Sequence, residues 1–215
     1  TKNQKYCIRQ NNTNLFYLIS KKIMDYIFSI LGLILLLPLF IVVAIMIKVE
    51  DRNGKIFYKQ LRCGKDGKPF YMYKFRSMVA NAEDLKKLLI HQNEATGPVF
   101  KIKRDPRVTK VGRFIRKTSI DELPQLLNVL KGEMSLVGPR PPLPEEEERY
   151  TDYERQRLSV TPGLTCYWQV SGRSNTSFEQ WVELDLKYIQ ERNLFIDIKL
   201  IFKTFFVLFG SDDAY

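Results

Sequence analysis

The chain has 215 residues, of which 45% are hydrophobic, enough for one core plus a membrane segment but hardly for two independent domains. Its formal charge of +10, from 34 basic and 24 acidic residues, favours an anionic partner such as nucleic acid, nucleotide phosphates or acidic lipid without choosing among them. Three cysteines form no C-x-x-C pair and His91 is the single histidine, which excludes a multi-histidine metal site and indicates neither a zinc site nor a disulfide framework.

The first predicted element is a membrane-embedded helix at residues 21–48. It follows a lead-in, residues 1–20, which begins with Thr1 rather than Met, so truncation of a longer protein is expected. Within the element, YIFSILGLILLLPLFIVVAIMI carries no charge, and a helix of roughly 22 residues reaches ~33 Å, comparable to the hydrocarbon core of a bilayer. The run is too long for the apolar region of a signal peptide. This segment is therefore predicted to lie in lipid.

Pro38 interrupts the apolar run and leaves its path open. Proline removes a helical hydrogen bond and clashes with the preceding turn, so it predicts a break between arms of about 12 and about 9 residues, each too short to span. Basic residues flank both ends, with Lys21 and Lys22 before the run and Lys48 and Arg52 after it, whereas a span usually leaves one side poor in Lys and Arg. These features indicate a re-entrant helix with both ends in the cytoplasm, and a proline-kinked transmembrane helix is the alternative.

The remaining residues, 49–215, are predicted to form one cytoplasmic domain. Aromatic and β-branched runs on either side of an Asp-Gly turn at 66–67 predict a β-hairpin. Helices are predicted in AEDLKKLLIH, in SIDELPQLLNVLKGE with a stop at Gly132, and in FEQWVELDLKYIQER, and a short strand in TCYWQVSG. The proline-rich MSLVGPRPPLP predicts an ordered loop, and the glutamates at 145–148 predict a helix start with a structural role.

The C-terminal run LFIDIKLIFKTFFVLFG predicts an amphipathic helix, because apolar residues recur at helical spacing between polar ones. Two interpretations fit: a helix lying in the membrane interface, and a core helix that buries the same face. The apolar positions are Phe195, Ile198, Phe202, Phe205 and Phe209. The predicted fold is thus mainly helical α+β, with a re-entrant or kinked N-terminal helix, a small hairpin and interfacial amphipathic helices.

The strongest candidate for chemistry is the adjacent pair Asp121 and Glu122, called the dyad below. It follows the basic residues Arg113, Arg116 and Lys117. A helix N-terminus beside arginines suits phosphate, because free backbone N–H groups and the helix dipole favour negative charge. Carboxylates in such a place need a positive partner, either the arginines or Mg²⁺.

The dyad also fits a structural role. In a capping box, Ser119 would cap the helix and Glu122 would bond back to it. Pro124 weakens that interpretation, because in this register the helix would need the N–H that proline lacks. The spacing of the residues leaves catalysis and capping open.

Three further basic residues look specific for phosphate. Lys74 and Arg76 lie in YKFRSM, and Arg140 lies between Pro139 and Pro141. An arginine held between two prolines loses little backbone entropy on binding, and its planar fork suits phosphate. The alternative is a solvated surface attracted to acidic lipid, at about 1 kcal/mol per charge near the bilayer.

Three separated motifs make the sequence resemble a known family. YKFRSM, DELPQLLNVLKGEMSLVGPRP and TPGLTCYWQVSGRS occur in this order behind a proline-broken apolar segment, as in the monotopic phosphoglycosyl transferases, also called bacterial sugar transferases. The resemblance covers nearly the whole chain from about residue 21. It implies transfer of a sugar-1-phosphate from a UDP-sugar to undecaprenyl phosphate at the cytoplasmic face of the bacterial inner membrane, with release of UMP.

The resemblance also implies roles for single residues. Asp121 would be the nucleophile that forms an aspartyl phosphosugar, Glu122 would help the polyprenyl phosphate to attack, and Mg²⁺ would bridge Asp121 and the diphosphate. Arg173, in the SGR turn, would approach the nucleotide. Asp185 also matches a family position, for which Mg²⁺ binding and a buried ion pair are alternatives. The implied phosphate-binding residues are Lys74, Arg76, Arg116 and Arg140.

Two positions depart from the family pattern. Leu37 precedes Pro38 where some members have serine, so no hydroxyl takes up the freed backbone group, and Cys166 stands where the family often has glycine. The implied partners are a UDP-sugar, undecaprenyl phosphate and membrane lipid but no nucleic acid, while the sugar and the oligomeric state are not predicted. Two competing interpretations are a membrane-anchored protein that only binds anions or nucleic acid, and a glycosyl transferase that releases nucleoside diphosphate.

Overall fold

The structure, a computed structural model, describes residues 14–94, 98, 100, 102, 104–171 and 177–210, the last four by backbone alone. Helices dominate this part of the chain, which confirms the mainly helical α+β prediction. The helices are α1 (Leu15–Glu50), α2 (Ala82–Leu88), α3 (Lys110–Lys117), α4 (Leu126–Leu130), α5 (Pro144–Glu147), α6 (Asp152–Arg155), α7 (Phe178–Glu191) and α8 (Leu194–Gly210). The strands are β1 (Phe57–Cys63), β2 (Pro69–Phe75), β3 (Ser135–Val137) and β4 (Gly163–Thr165).

Helix α1 is continuous from Leu15 to Glu50 and contains Pro38. It therefore begins before residue 21, and Pro38 does not divide it into two arms. The side chain of Pro38 is exposed, so its ring displaces no neighbouring residue. On either side of it, Leu36 and Leu39 pack against the rest of the domain. One lost backbone hydrogen bond is then too little to end a helix that tertiary contacts support in both halves.

One face of α1 packs on the rest of the protein along the whole helix. Tyr17 and Lys21 are buried near its start, and Val43 and Ile47 near its end. The opposite face is apolar and exposed, as at Leu35, which is 76% exposed. Among the described residues α1 is the one helix that is long and apolar enough to cross a bilayer. Both ends of α1 therefore contact the same domain, while the path of the helix through a bilayer stays a prediction.

The predicted hairpin is confirmed. Strands β1 and β2 pair antiparallel from Phe57 opposite Phe75 to Cys63 opposite Pro69, and the Asp-Gly turn lies in the short 3₁₀ segment that joins them. The register places Tyr58 opposite Lys74. Because side chains of directly opposed residues share a face of the ribbon, Lys74 faces the same side as Tyr58 and the alternate residues of β1.

The dyad lies on a 3₁₀ helix, Ile120–Gln125, which leads into α4. Ser119 has φ 54° and its side chain does not cap this helix, so the capping-box interpretation is wrong. The predicted single helix is also wrong in part, because the 3₁₀ segment takes up Pro124 and leaves α4 only five residues. A helix that short offers little dipole, so side chains must provide any anion site here. Gly132, with φ 76°, lies just past α4, as the predicted stop requires.

Strands β3 and β4 pair in parallel, with Ser135 opposite Gly163. The predicted strand in TCYWQVSG is wrong beyond its first residue, because β4 ends at Thr165 and Trp168–Val170 form a 3₁₀ helix. Cys166, between the two, is fully buried in the hydrophobic core. A proline opens α5, as predicted. Glu145 pairs with Lys86, Glu146 accepts a hydrogen bond from the backbone N–H of Leu143, and Glu147 pairs with Arg155. These contacts agree with the structural role expected for the glutamates.

Helix α8 presents its aromatic residues outward. Phe202 is 62% exposed and Phe195 and Phe205 are exposed as well, whereas Asp197 is 0% exposed. The core-helix interpretation is therefore wrong for this face. The polar residue lies inside because its carboxylate accepts hydrogen bonds from Lys21 Nζ at 2.9 Å and from two tyrosine hydroxyls. The side chain of residue 209 lies outside the described part of the chain.

Candidate active site

The two carboxylates of the dyad lie in different surroundings. Asp121 is only 7% exposed. Glu122 accepts hydrogen bonds on one oxygen from Lys74 Nζ at 2.8 Å and from Arg140 Nη1 at 3.2 Å. Lys74 belongs to β2, and Arg140 follows β3, so two separate parts of the chain meet at this carboxylate. Glu122 is thus held in place by cations, while Asp121 stays available to a ligand.

A close approach of two backbones positions Arg140. A Cβ atom at Gly163 would lie 2.1 Å from the backbone nitrogen of Gly138, so only glycine permits this contact. Gly138 N–H donates to Thr165 O at 2.9 Å, and Gly163 N–H donates to Pro139 O at 2.9 Å. These bonds fasten the residues just before Arg140 to β4. The Pro-Arg-Pro segment therefore leaves β3 in a fixed direction, toward the dyad.

Arg116 reaches the site from the last turn of α3. Its Nε donates to Ser77 Oγ at 2.9 Å. A Cβ atom at Gly112 would lie 2.0 Å from Ser77 O, so α3 lies directly on the backbone that follows β2. The position of Arg116 is therefore set by contact between α3 and the same strand that carries Lys74.

Burial and charge separate the proton affinities of the two acids. Burial raises the pKa of Asp121 to about 6, against the opposing charge of Lys74 and with a further rise from Glu122. Burial would also raise the pKa of Glu122, but Lys74 and Arg140 hold it well below its ordinary range. Glu122 is therefore ionised throughout the neutral range, while the raised pKa of Asp121 means that it holds a proton more readily than an ordinary aspartate. Two adjacent carboxyls with separated pKa values suit two different chemical roles.

Two clefts meet at Asp121, with volumes of about 320 Å³ and about 780 Å³. The smaller, called the first cleft, has basic and aromatic walls that include Arg62, Arg76 and Trp181. The larger, called the second cleft, extends past Leu164 to Thr204 of α8. Both are lined by Lys74, Arg116, Asp121, Arg140 and Trp168. Two molecules can thus approach one carboxylate past different walls.

The candidate site could hold Mg²⁺ through one or two carboxylates, but within the described part of the chain it lacks the several protein ligands of an all-protein metal site. The described residues contain no cluster of three or more His, Cys, Asp or Glu side chains that could hold a metal ion. Mg²⁺ usually keeps several waters and is bound by one or two carboxylates together with substrate phosphates. Asp121, which lines both clefts, and Glu122, which lines the second, provide that donor set.

A family model described as bacterial sugar transferase matches residues 16–211. The chain belongs to the bacterial sugar transferase family. It is 47% identical over 199 residues to the undecaprenyl-phosphate galactose phosphotransferase of Salmonella typhimurium, a match that covers 91% of the chain and 41% of that protein. It is 40% identical over 206 residues to the UDP-glucose:undecaprenyl-phosphate glucose-1-phosphate transferase of Klebsiella pneumoniae, covering 92% of the chain and 42% of that protein.

A shorter relative is matched over most of its length. The exopolysaccharide production protein ExoY of Sinorhizobium fredii is 43% identical over 190 residues, which cover 86% of the chain and 84% of ExoY. Against the Salmonella and Klebsiella relatives, in contrast, the chain spans only about two fifths of their length.

The structure places most of the predicted site residues together. Lys74, Arg116 and Arg140 surround the dyad, and Arg76 lines the first cleft without an ion pair to either acid among the described residues. Arg173 lies outside the described part of the chain. Asp185 is fully buried, lines neither cleft and accepts from Arg157 Nε at 2.8 Å, so the ion-pair interpretation fits it.

Two residues of the candidate site were missed by the sequence analysis. Arg62 lines the first cleft and donates to Pro141 O at 2.9 Å, next to Arg140. Trp168 lines both clefts and stacks on Trp181 at 4.8 Å between ring centroids. The alternation of β1 held a signal for Arg62, because in the hairpin register it shares a face with Lys74. No local pattern distinguished Trp168 from a core tryptophan.

Proposed function

We propose that this chain transfers a sugar-1-phosphate from a UDP-sugar to undecaprenyl phosphate, as the first membrane step of surface glycan assembly. The observation that carries the proposal is a buried carboxylate, Asp121, at the junction of two clefts and among Lys74, Arg116 and Arg140. The names of the Salmonella and Klebsiella relatives describe the same kind of reaction.

In the first half-reaction, an Asp121 oxygen attacks the β-phosphorus of the UDP-sugar. A bond from the carboxylate to phosphorus forms, the bond from that phosphorus to the oxygen shared with UMP breaks, and UMP leaves with the bonding electrons. Lys74, Arg116 and Arg140 stabilise the negative charge on the phosphate oxygens. Asp121 would help to hold Mg²⁺, which would supply positive charge near the diphosphate.

In the second half-reaction, a phosphate oxygen of undecaprenyl phosphate attacks the phosphorus of the aspartyl phosphosugar. The carboxylate of Asp121 is released, and the product is an undecaprenyl diphosphate sugar. Glu122 assists this attack. Its anchoring by Lys74 and Arg140 fixes its position beside Asp121, and its low pKa keeps it charged while the acceptor binds.

The two clefts suggest a division of substrates. The first cleft, with Arg62, Arg76 and stacked tryptophans on its walls, suits a nucleotide diphosphate; Arg173 is proposed to bind the nucleotide as well. The second cleft borders α8, whose exposed aromatic face suits lipid. The acceptor therefore enters by the second cleft. With α1 and α8 in the cytoplasmic leaflet of the inner membrane, a soluble donor and a lipid-borne acceptor meet at Asp121.

The experiment is an assay of the full chain in lipid nanodiscs with Mg²⁺, undecaprenyl phosphate and a panel of UDP-sugars. We expect UMP from at least one sugar and none from Asp121→Asn, a fall of at least about a thousandfold. Glu145→Gln is the matched control, because that glutamate is exposed and lines neither cleft. Release of UDP, or full activity of Asp121→Asn, would show that the proposed chemistry is wrong.

A further inference from the structure

A third cavity, of about 240 Å³, lies away from Asp121. Its walls come from the start of α1, the end of α7 and the segments around β3, and include Lys22, Tyr26, Thr161 and Arg192. It shares no lining residue with the two clefts at Asp121. The transfer reaction proposed above therefore makes no use of this cavity.

Arg192 brings an unsatisfied donor to the cavity. Its backbone N–H donates to Tyr188 O at 2.8 Å, at the end of α7, but its Nε is buried and has no hydrogen-bond partner in the described part of the chain. No ion pair found among those residues involves its guanidinium. A buried donor of this kind is costly unless a ligand pairs with it. A guanidinium suits the oxygens of a phosphate group.

The charges around the cavity leave a surplus of one positive charge. Lys21, Lys22 and Arg192 contribute three cations, and Asp25 and Asp197 contribute two carboxylates. One of these carboxylates, Asp197, is paired with Lys21 at 2.9 Å, and Asp25 accepts from Leu136 N–H at 3.0 Å. Among the described residues, neither Lys22 nor Arg192 forms an ion pair. A monoanion such as a phosphodiester balances the surplus.

The cavity adjoins the exposed apolar face of α1. Leu18 lines it and is exposed, as are Leu15, Phe16 and Ile19 in the same turns of the helix. Lys22 Nζ lies 5.9 Å from the centroid of the Tyr26 ring, within the usual range for a lysine beside an aromatic ring. A ligand with a phosphodiester and hydrocarbon chains can place the first in the cavity and the second along the helix.

We propose that this cavity binds the headgroup of an anionic glycerophospholipid. The phosphodiester pairs with Arg192 and Lys22, and the acyl chains lie along the exposed face at the start of α1. Because the cavity walls include α1, the end of α7 and Ser135 and Val137 of β3, a bound headgroup holds these three elements together. The lipid acts here as a structural ligand, separate from the substrates at Asp121.

The test is thermal unfolding of the full chain in phosphatidylcholine nanodiscs with increasing fractions of phosphatidylglycerol, followed by the fluorescence of its two tryptophans. We expect phosphatidylglycerol to raise the Tm of the wild type by roughly 4 °C or more. Arg192→Gln and Lys22→Gln should lose this rise. In pure phosphatidylcholine, the Tm of Arg192→Gln should lie within about 1 °C of the wild-type Tm, because the Nε of Arg192 has no hydrogen-bond partner in the described part of the chain that the substitution would remove.

The matched controls are Lys199→Gln and Lys203→Gln, which remove the same charge from exposed positions on α8 and should keep the full rise. An equal loss in these controls would show general attraction to acidic lipid and overturn the proposal. So would an unchanged wild-type Tm, or an equal rise when soluble glycerol phosphate replaces phosphatidylglycerol, since the cavity would then take free phosphate. The assay measures no transfer, so it stands or falls independently of the proposed reaction.

Discussion

The carboxylate of Glu50 accepts a hydrogen bond of 2.7 Å from the backbone N–H of Lys110. This bond joins the last residue of α1 to the first residue of α3, and the second carboxylate oxygen accepts from Val111 N–H at 3.0 Å. Backbone N–H groups in the first turn of a helix have no partner within it. Helix α1 therefore caps the short helix that carries Arg116 to the dyad.

Glu50→Ala should weaken both the fold and the proposed transfer. Loss of the cap should lower the free energy of unfolding by about 1 kcal/mol, and a displaced Arg116 should slow UMP release by about tenfold. Glu50→Gln keeps one acceptor oxygen and should restore part of both losses. Denaturant unfolding and initial rates measure the effects, with the exposed Glu183→Ala as control. Identical behaviour of the Glu50 and Glu183 variants would contradict the positioning role.

The rate of the first half-reaction should rise with pH. Asp121 attacks as a carboxylate, and burial raises its pKa to about 6, so the reactive form accumulates as pH increases through that value. We expect kcat/KM for the UDP-sugar to rise between about pH 5 and about pH 7 and then to level off, since this ratio reports groups of the free enzyme. A midpoint near the ordinary aspartate value, or a rate that falls over this range, would argue against Asp121 as the nucleophile.

Replacing Lys74 should move that midpoint to higher pH. Lys74 is the strongest charge that opposes the rise in the pKa of Asp121, so Lys74→Met should raise this pKa further. The matched control is Lys131→Met, because Lys131 lines neither cleft and donates to Tyr73 next to Lys74 in β2. The pH profile of kcat/KM should shift for Lys74→Met and stay in place for Lys131→Met. The same shift in both variants would mean a general loss of charge.

The outward face of α8 should contribute to membrane binding. Burial of one phenylalanine side chain in lipid should stabilise membrane binding by about 1.5–3 kcal/mol. The double variant Phe202→Ser, Phe206→Ser should therefore reduce recovery with vesicles in a flotation assay by at least about tenfold. Leu88→Ser, at an exposed apolar position of α2, is the control for loss of surface hydrophobicity. Equal recovery of the double variant and the wild type would place this face away from lipid.

Several features of this fold could be predicted because local patterns determine them. The hairpin follows from strand alternation around an Asp-Gly turn, the helices α7 and α8 follow from apolar spacing, and Gly132 ends α4 as a left-handed stop should. Each of these features depends on residue type and short-range spacing. The cluster of Lys74, Arg116 and Arg140 around the dyad, in contrast, was implied only by the resemblance of three separated motifs to the family.

Other features depend on contacts between distant residues, which a local pattern does not contain. Helix α1 continues through Pro38 because the domain supports both of its halves. Ser119 adopts a left-handed conformation that spacing could not distinguish from a helix cap. The orientation of α8 was left open because a helical repeat defines an apolar face but not its neighbour. That choice depends on Asp197, whose partner Lys21 lies on another helix.

Both ends of α1 are fastened to one folded body, by Lys21 to Asp197 and by Glu50 to α3. A protein built in this way can enter a bilayer from a single side, because neither end of the helix has to carry its charged neighbours through hydrocarbon. We expect its biogenesis to differ from that of a spanning protein. Packing of α1 on the domain and insertion of its apolar face into lipid should then occur as one event, without translocation of a polar segment.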